Sequence, residues 1–151
     1  MTVDFTIRGG GVAGLAMAAE LHQRGANVQV IDPAGPPGAH ACSWWAGGML
    51  APETEGFISE PAIVRHGRRA ADWWAGQGAV VHRQGTLIVA LGRDHSELKT
   101  FARRVPQATP VDAAQIAQLE PDLAEHFSQA LFIASEGHMD PRVTVGYLHA
   151  R

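Results

Sequence analysis

The sequence predicts an α/β fold that opens with a β-α-β unit and continues into an α+β part with antiparallel strands. The opening unit is indicated by "VDFTI", by the glycine-rich "RGGGVAG" with a run of small apolar residues after it, and by the alternating "NVQVID". The α+β part is indicated by the short β-branched segments "GTLIVAL" and "ALFIAS".

The opening unit is predicted as a short buried strand over residues 3–7, a helix over about residues 13–24 and a second strand over residues 27–32. Gly25 ends the helix, because glycine adopts the positive φ of the C′ position at little cost. Residues 33–40 contain three prolines and two glycines and therefore form a loop.

A second helix is predicted over residues 59–78, with Ser59 as its cap and Pro61 in its first turn. Its apolar stripe consists of Ile63, Gly67, Ala70 and Trp74. Residues 79–82 and 85–91 are predicted to pair as antiparallel strands across a short turn.

Three more helices and a strand complete the prediction. Asp112 and Gln115 have the spacing of a capping box, and residues 130–135 form a strand. The last helix opens at Asp140 and Pro141. The residues expected on one face of a helix are Leu98, Phe101, Ala102 and Val105 before Pro106, and Val143, Tyr147 and Ala150 in the last helix.

The domain organisation predicted from these elements has four parts: residues 1–55 in a nucleotide-binding domain, 56–78 as a linking helix, 79–140 in a second domain and 141–151 as a returning helix. Parallel sheets are stable when further strands continue them, and only two such strands are predicted. We therefore expect the N-terminal portion of a longer protein. The alternative is a compact small domain that ends in a frayed helix.

Composition excludes several classes of function. The 151 residues carry a formal net charge of -3 without a basic run, which argues against nucleic acid as a partner. Cys42 is the only cysteine, and the eight histidines lack metal-ligand spacing, so neither a disulfide framework nor a metal site is expected. No apolar run reaches the roughly 20 residues of a membrane span, and no signal-peptide layout is present. A cytoplasmic location is expected.

A dinucleotide-binding fingerprint lies between the first strand and the first helix. Gly9, Gly11 and Gly14 fit G-x-G-x-x-G, and Asp32 ends the second strand. In this pattern the first glycine permits the tight turn, the second admits a pyrophosphate and the third lets the helix approach the sheet. The helix N-terminus attracts phosphate, and the acid accepts hydrogen bonds from a ribose diol.

The fingerprint alone fits NAD or FAD. The segment "SWWAGGMLAP" favours a flavin, because an uncharged, glycine-containing stretch offers small residues and free N–H groups to a flat apolar ring. Ser43 adds a hydroxyl suited to a phosphate or ribityl oxygen.

At these residues the sequence resembles the D-amino-acid-oxidase-type FAD-dependent oxidoreductases, and within them the glycine oxidase branch of thiazole and thiamine biosynthesis. The resemblance rests on "GGGVAGLAMAAEL", Asp32 and "SWWAGGMLAP", and it continues through "GTLIVAL", "LEPDL" and "EGHMDPR". It implies a GR2-like Rossmann FAD domain followed by the start of a substrate domain. It also implies oxidative deamination of a small, glycine-like amino acid to an imine, with O2 giving H2O2.

The resemblance also implies which residues bind FAD. Those residues are Gly9, Gly11, Val12, Ala13, Gly14, Asp32, Pro33, Cys42, Ser43, Gly47, Gly48 and Met49. Asp32 stands where Glu is commoner, and Trp44 and Trp45 are bulkier than the residues often found there. The family's carboxylate-binding arginine and tyrosine fall beyond Arg151, so no catalytic residue is named, and Arg142 and Tyr147 are interpreted as surface and packing residues.

Other functions stay open at this point. One alternative is another FAD oxidoreductase, of the sarcosine oxidase, D-amino acid oxidase or monooxygenase type, and another is an inactive truncated fragment. Expected partners are a small amino acid and O2, without nucleic acid or membrane, and a homo-oligomer is left open. The 151-residue chain alone is expected to be inactive and to bind FAD poorly.

Overall fold

A computed structural model describes residues 2–151, and their contacts divide the chain into two units. The chain passes between the units several times. The first unit comprises the residues up to Met49, Asp72–Val81 and Met139–Arg151, and the second comprises Leu50–Ala71 and His82–His138.

The first unit contains the predicted β-α-β arrangement. Strands β1 (Phe5–Arg8) and β2 (Val28–Ile31) are parallel, with Phe5 opposite Val28, and helix α1 (Val12–Gln23) connects them. Leu15 is the buried residue of α1, and Gly25 follows the helix with φ +88° as expected. The α/β fold class is thereby confirmed for this unit.

Strand β1 is less buried than the sequence suggested. Phe5 is 50% exposed, and the described part of the chain pairs β1 with β2 in a sheet of only two strands. A strand with a single neighbour keeps one edge and much of its apolar surface open. In the part of the chain that the structure describes, the first strand is therefore mostly exposed, and the prediction of a buried strand is wrong.

Two helices replace the single helix predicted over residues 59–78. Helix α3 (Pro61–Gly67) ends at a glycine, and α4 (Ala70–Gly76) begins three residues later. The residue before α3 is Glu60, so the predicted cap Ser59 lies outside the helix. Arg68, between the helices, binds the Glu53 carboxylate through Nε at 2.5 Å and Nη2 at 3.0 Å. This bidentate ion pair holds the chain at the point where one continuous helix was expected.

Helix α7 (Pro141–His149) belongs to the first unit and begins where predicted. The Asp140 side chain accepts hydrogen bonds from the amides of Arg142 and Val143. Val143 and Tyr147, expected on one face of the helix, are both exposed. The buried residues of α7 are Thr144, Val145 and Leu148.

The second unit contains an antiparallel sheet of three strands: β4 (Thr86–Ile88), β5 (Thr109–Asp112) and β6 (Gln129–Ile133). Their order in the sheet is β4-β6-β5. The predicted pairing of residues 79–82 with 85–91 is wrong, because β4 pairs with β6 and residues 79–82 contribute an isolated bridge from His82 to His138. Strand β5 was missed because it contains Pro110, which is tolerated at this sheet edge but weakens the strand signal.

Helices α5 (His95–Arg104) and α6 (Ala113–Leu119) pack on this sheet. The predicted capping box of α6 is present: the Gln115 amide donates to Asp112 Oδ1, and the Asp112 amide donates to Gln115 Oε1. Ile116 of α6 is fully buried beside Val111 and Ala130, and Leu98 of α5 packs in a second cluster. Strand β3 (Met49–Leu50) and helix α2 (Pro52–Glu55) come before α3 in the chain, and strand β7 (Gly137–His138) follows β6.

The second unit also contains a buried acid. Glu136 is 1% exposed, and its oxygens accept hydrogen bonds from the Thr54 amide at 2.8 Å and the Thr54 hydroxyl at 2.7 Å. A buried carboxylate is costly unless it is hydrogen-bonded, and here both oxygens are satisfied.

Across residues 2–151, none of the helices combines the length and apolar character that crossing a membrane requires.

Replacing Ile116 with alanine should test the core of the second unit. Removal of a fully buried isoleucine side chain should lower the free energy of unfolding by about 2–5 kcal/mol. Leu119→Ala in the same helix is the control, because Leu119 is 42% exposed and its removal should cost about 1 kcal/mol or less. Urea denaturation followed by circular dichroism measures both, and equal losses would contradict the assigned core.

Candidate cofactor site

The first turn of α1 lies directly against the turn that leaves β1. Gly9 has φ +112°, a conformation that favours glycine, and its amide donates to Ile31 O at 2.8 Å. A side chain at Gly14 would overlap the carbonyl oxygen of Gly9. The predicted roles of these two glycines, a tight turn and a close helix approach, match the geometry.

The amino end of α1 presents unpaired amide groups next to a serine. The first hydrogen bond of the helix is donated by Leu15 to Gly11 O, so the amides of Val12, Ala13 and Gly14 have no acceptor within the helix. Val12 N–H donates to Ser43 Oγ at 2.9 Å. Amide groups and the helix dipole at such an end favour an anion.

Gly11 leaves the space in front of this helix end free. A Cβ at Gly11 would lie 3.3 Å from Ser43 Oγ, so a larger side chain would fill the gap between the helix end and the serine. Ser43 is buried and comes from the short 3-10 helix Cys42–Trp45. The donor groups and the free space fit the pyrophosphate of a dinucleotide.

Asp32 contacts the glycine turn itself. Its Oδ2 accepts from Gly10 N–H at 2.7 Å, and its Oδ1 accepts from Ala34 N–H at 2.9 Å. The hydrogen bond from Gly10, followed by that from Ala34, holds the pKa of the Asp32 carboxyl below its ordinary value of 3.8. Each oxygen retains a lone pair, so the ionised carboxylate can still accept hydrogen bonds from a ribose diol.

The contact between Gly10 and Asp32 was missed at the sequence level. Gly10 occupies a variable position of the fingerprint, and a Cβ there would lie 3.3 Å from Asp32 Oδ2. The signal available in the sequence was the third consecutive glycine, which the fingerprint does not require. Asp32 therefore orders the turn as well as being the predicted ribose ligand.

The 3-10 helix Cys42–Trp45, which follows the loop over residues 33–40, is fixed by contacts within the first unit. Trp45 Nε1 donates to Ala39 O at 2.9 Å, and its ring is 67% exposed. Arg142 Nε donates to Trp44 O at 3.0 Å, and the guanidinium carbon is 5.7 Å from the ring centroids of both Trp44 and Trp45. Arg142, interpreted from the sequence as a surface or packing residue, thus contacts the segment that carries Ser43.

The remaining predicted cofactor ligands lie on either side of Ser43 in sequence. Pro33 and Cys42 are exposed, and so are Gly47 and Met49. Gly48 has φ +70°, and a side chain there would overlap the carbonyl oxygen of Met139. Gly48 therefore has a structural reason to be glycine, in addition to its predicted place beside a flavin.

The lowered pKa of Asp32 leads to a pH-dependent prediction. Because the folded-state pKa is depressed, the stabilisation by this carboxylate is fully present above the unfolded pKa and is lost as the pH falls through the folded value. Asp32→Asn should therefore lower stability at neutral pH, and its difference from wild type should shrink between about pH 5 and about pH 3.

Chemical denaturation at several pH values measures this difference. Asp122→Asn is the control, because Asp122 is an exposed aspartate of the second unit. A difference between wild type and Asp32→Asn that stays constant with pH would contradict the role assigned to the carboxylate.

Known proteins resemble this chain over nearly its whole length. A Rhizobium etli protein named thiamine biosynthesis oxidoreductase ThiO is 48% identical over 145 residues, which cover 95% of this chain and 44% of that protein. Glycine oxidases from Bacillus cereus and Geobacillus kaustophilus superpose with TM-scores of 0.74 and 0.73, at 21% and 25% identity. These superpositions cover 99% and 97% of this chain and 44% of each oxidase.

The chain therefore spans less than half the length of these relatives. Its mixed α/β fold corresponds to that of the N-terminal part of glycine oxidase, and the resemblance noted in the sequence is confirmed. Residues 4–151 match the family DAO, described as FAD dependent oxidoreductase, so the chain belongs to this family of flavoproteins, whose cofactor is FAD.

Proposed function

We propose that this chain is the N-terminal portion, with the dinucleotide-binding unit and the start of the substrate domain, of an FAD-dependent oxidase that acts on a small, glycine-like amino acid and serves thiazole and thiamine biosynthesis. The observation that supports the proposal most is the 48% identity to ThiO over 95% of the chain. Since the chain spans 44% of that relative, the oxidase activity is proposed for a polypeptide of the relatives' length. Within this chain, the proposed role of the first unit is to bind FAD.

The proposed reaction converts the amino acid to an imine. When bound, FAD supplies the oxidant: a hydride leaves the substrate Cα, the amine becomes an imine, and O2 takes up the two electrons and two protons as H2O2. The residues of this chain bind and orient the cofactor for this reaction.

The amino end of α1 is proposed to hold the pyrophosphate. The amides of Ala13 and Gly14 have no acceptor within the helix, and Ser43 Oγ already accepts the amide of Val12. A serine hydroxyl that accepts one hydrogen bond can still donate its own proton, here to a phosphate oxygen. Because Ser43 is buried, little water competes for that proton.

Asp32 is proposed to bind the adenosine ribose, with Pro33 beside it. Its carboxylate is ionised at neutral pH, and the amides of Gly10 and Ala34 lower its pKa further. A fixed negative charge accepts hydrogen bonds from a ribose diol and repels a 2′-phosphate. Cys42 is proposed to flank the pyrophosphate with Ser43.

The segment Gly47, Gly48 and Met49 is proposed to lie against the isoalloxazine. Nothing lies within 4 Å of a Cβ built on Gly47, and the Met49 side chain is 57% exposed. An apolar side chain and open backbone at this point would suit a flat aromatic ring, with which a thioether makes favourable contacts.

No residue of this chain is proposed to touch the substrate carboxylate. The Arg142 guanidinium is already engaged by Trp44 and Trp45. The Tyr147 hydroxyl lies 2.7 Å from a Cβ built on Gly78, and Arg151 stacks on its ring. Both side chains thus have packing partners within the first unit.

A chimera tests the proposal. Residues 1–151 of this chain replace the matching N-terminal segment of the Rhizobium etli relative, and the intact relative serves as the reference. We expect yellow flavin to co-purify with the chimera and H2O2 to be released with glycine; sarcosine and D-alanine are assayed in parallel. A folded chimera that binds no flavin, while the reference does, would overturn the proposal.

Gly11→Val should abolish flavin binding by the chimera, because its methyl groups would occupy the space between the helix end and Ser43. Gly76→Ala is the matched control, since nothing lies within 4 Å of a Cβ there and φ is ordinary. Flavin absorbance per protein, with circular dichroism to check folding, measures the effect. Full flavin content in Gly11→Val would contradict the assigned pyrophosphate position.

A further inference from the structure

The serine at the end of α1 is held in place from a distant part of the sequence. Ser43 lies in the 3-10 helix Cys42–Trp45, and the next carbonyl, Trp44 O, accepts a hydrogen bond from Arg142 Nε at 3.0 Å. Arg142 and Trp44 are 98 positions apart in the chain. Arg142 therefore contacts the backbone immediately beside the side chain that meets Val12 N–H.

The geometry of Arg142 is fixed from its own side as well. Asp140 Oδ1 accepts from the Arg142 amide at 2.8 Å and from the Val143 amide at 3.1 Å, which caps α7 and fixes the backbone of its first turn. The arginine side chain thus extends from a capped helix start rather than from a free loop.

The Arg142 guanidinium makes two kinds of contact with the 3-10 helix. Its Nε–H meets the Trp44 carbonyl, and its carbon lies 5.7 Å from the centroids of both indole rings. A planar guanidinium can donate a hydrogen bond and stack on aromatic faces at the same time, which an ammonium group cannot do equally well. The segment "SWWAGGMLAP" contains no charged residue, so this cation reaches it from outside.

A second attachment lies a few residues further along the same segment. Met139 N–H donates to Gly48 O at 3.0 Å, and Gly48 tolerates the close approach because it lacks a side chain. The backbone near Gly48 is thus fixed by Met139. The 3-10 helix with Ser43 is fixed by Arg142, through its side chain.

We propose that Arg142 is a positioning residue of the dinucleotide site: it holds the 3-10 helix so that Ser43 Oγ stays at the amino end of α1. The consequence of this inference for FAD binding rests on the proposed function. The structural part, that Arg142 acts on Val12 through Ser43, stands independently of it.

The first experiment measures amide hydrogen exchange in the ¹⁵N-labelled 151-residue chain. Arg142→Ala should raise exchange of the Val12 amide roughly three- to ten-fold, the range expected when one hydrogen bond is weakened. Ser43→Ala should do the same. The double variant should resemble Ser43→Ala alone, because both substitutions remove one shared contact.

Controls separate positioning from general destabilisation. Arg142→Lys should rescue the Val12 amide only in part, because lysine keeps the charge but not the planar donor. Arg103→Ala should leave Val12 unchanged, since Arg103 bonds within its own helix. Amides of β6 should keep their wild-type exchange in all variants. Unchanged exchange at Val12 in Arg142→Ala, or additive effects of Arg142→Ala and Ser43→Ala, would overturn the proposal.

The second experiment titrates FAD into the chimera. Arg142→Ala should weaken the affinity roughly three- to ten-fold, Arg142→Lys less, and Arg103→Ala not at all. An unchanged affinity in Arg142→Ala would overturn its role in the site. If the unsubstituted chimera binds no FAD, the proposed function fails, whereas the exchange of Val12 still decides whether Arg142 positions Ser43.

Discussion

The first turn of α1 touches the turn that leaves β1, and the rest of the candidate site depends on this closeness. Gly14 makes it possible, because any side chain there would overlap the Gly9 carbonyl. With the helix at this distance, the amide of Gly10 reaches Asp32 and the amide of Val12 reaches Ser43. Asp32 and Ser43, from two separate stretches of chain, thereby meet the backbone of the glycine turn and the helix end. The amides of Ala13 and Gly14, which have no acceptor within the helix, attract an anion.

Local sequence signals predicted the parts of this arrangement that are local in the chain. The glycine spacing predicted the turn, Gly25 the end of α1, and Asp112 with Gln115 the capping box of α6. Each of these features depends on residues that are close together in the sequence, so the local sequence is sufficient to predict it. The fingerprint alone fits NAD or FAD; the uncharged segment "SWWAGGMLAP" favoured a flavin, and the family resemblance then implied FAD.

Long-range contacts account for what the sequence did not predict. The pairing of β4 with β6 depends on a partner far along the chain, and Pro110 concealed the third strand. In α7 the apolar spacing placed Val143 and Tyr147 on one face, but the buried residues are Thr144, Val145 and Leu148, and the Thr144 hydroxyl is satisfied by donating to Asp140 O. The contact of Arg142 with Trp44 likewise could not be predicted, because the two residues are 98 positions apart and the local sequence around either one does not indicate the other.

The proposed ribose contact of Asp32 is coupled to its hydrogen bonds in the glycine turn, which limits how a nucleotide preference could be re-engineered at this residue. Admitting a 2′-phosphate usually begins by removing the acid at the end of the second strand. Here that carboxylate also accepts the amides of Gly10 and Ala34, so its removal would leave the glycine turn without its acceptor. A change of cofactor would therefore need a second substitution that supplies a new acceptor for Gly10. The proposed nucleotide selectivity and the shape of the glycine turn would therefore change together.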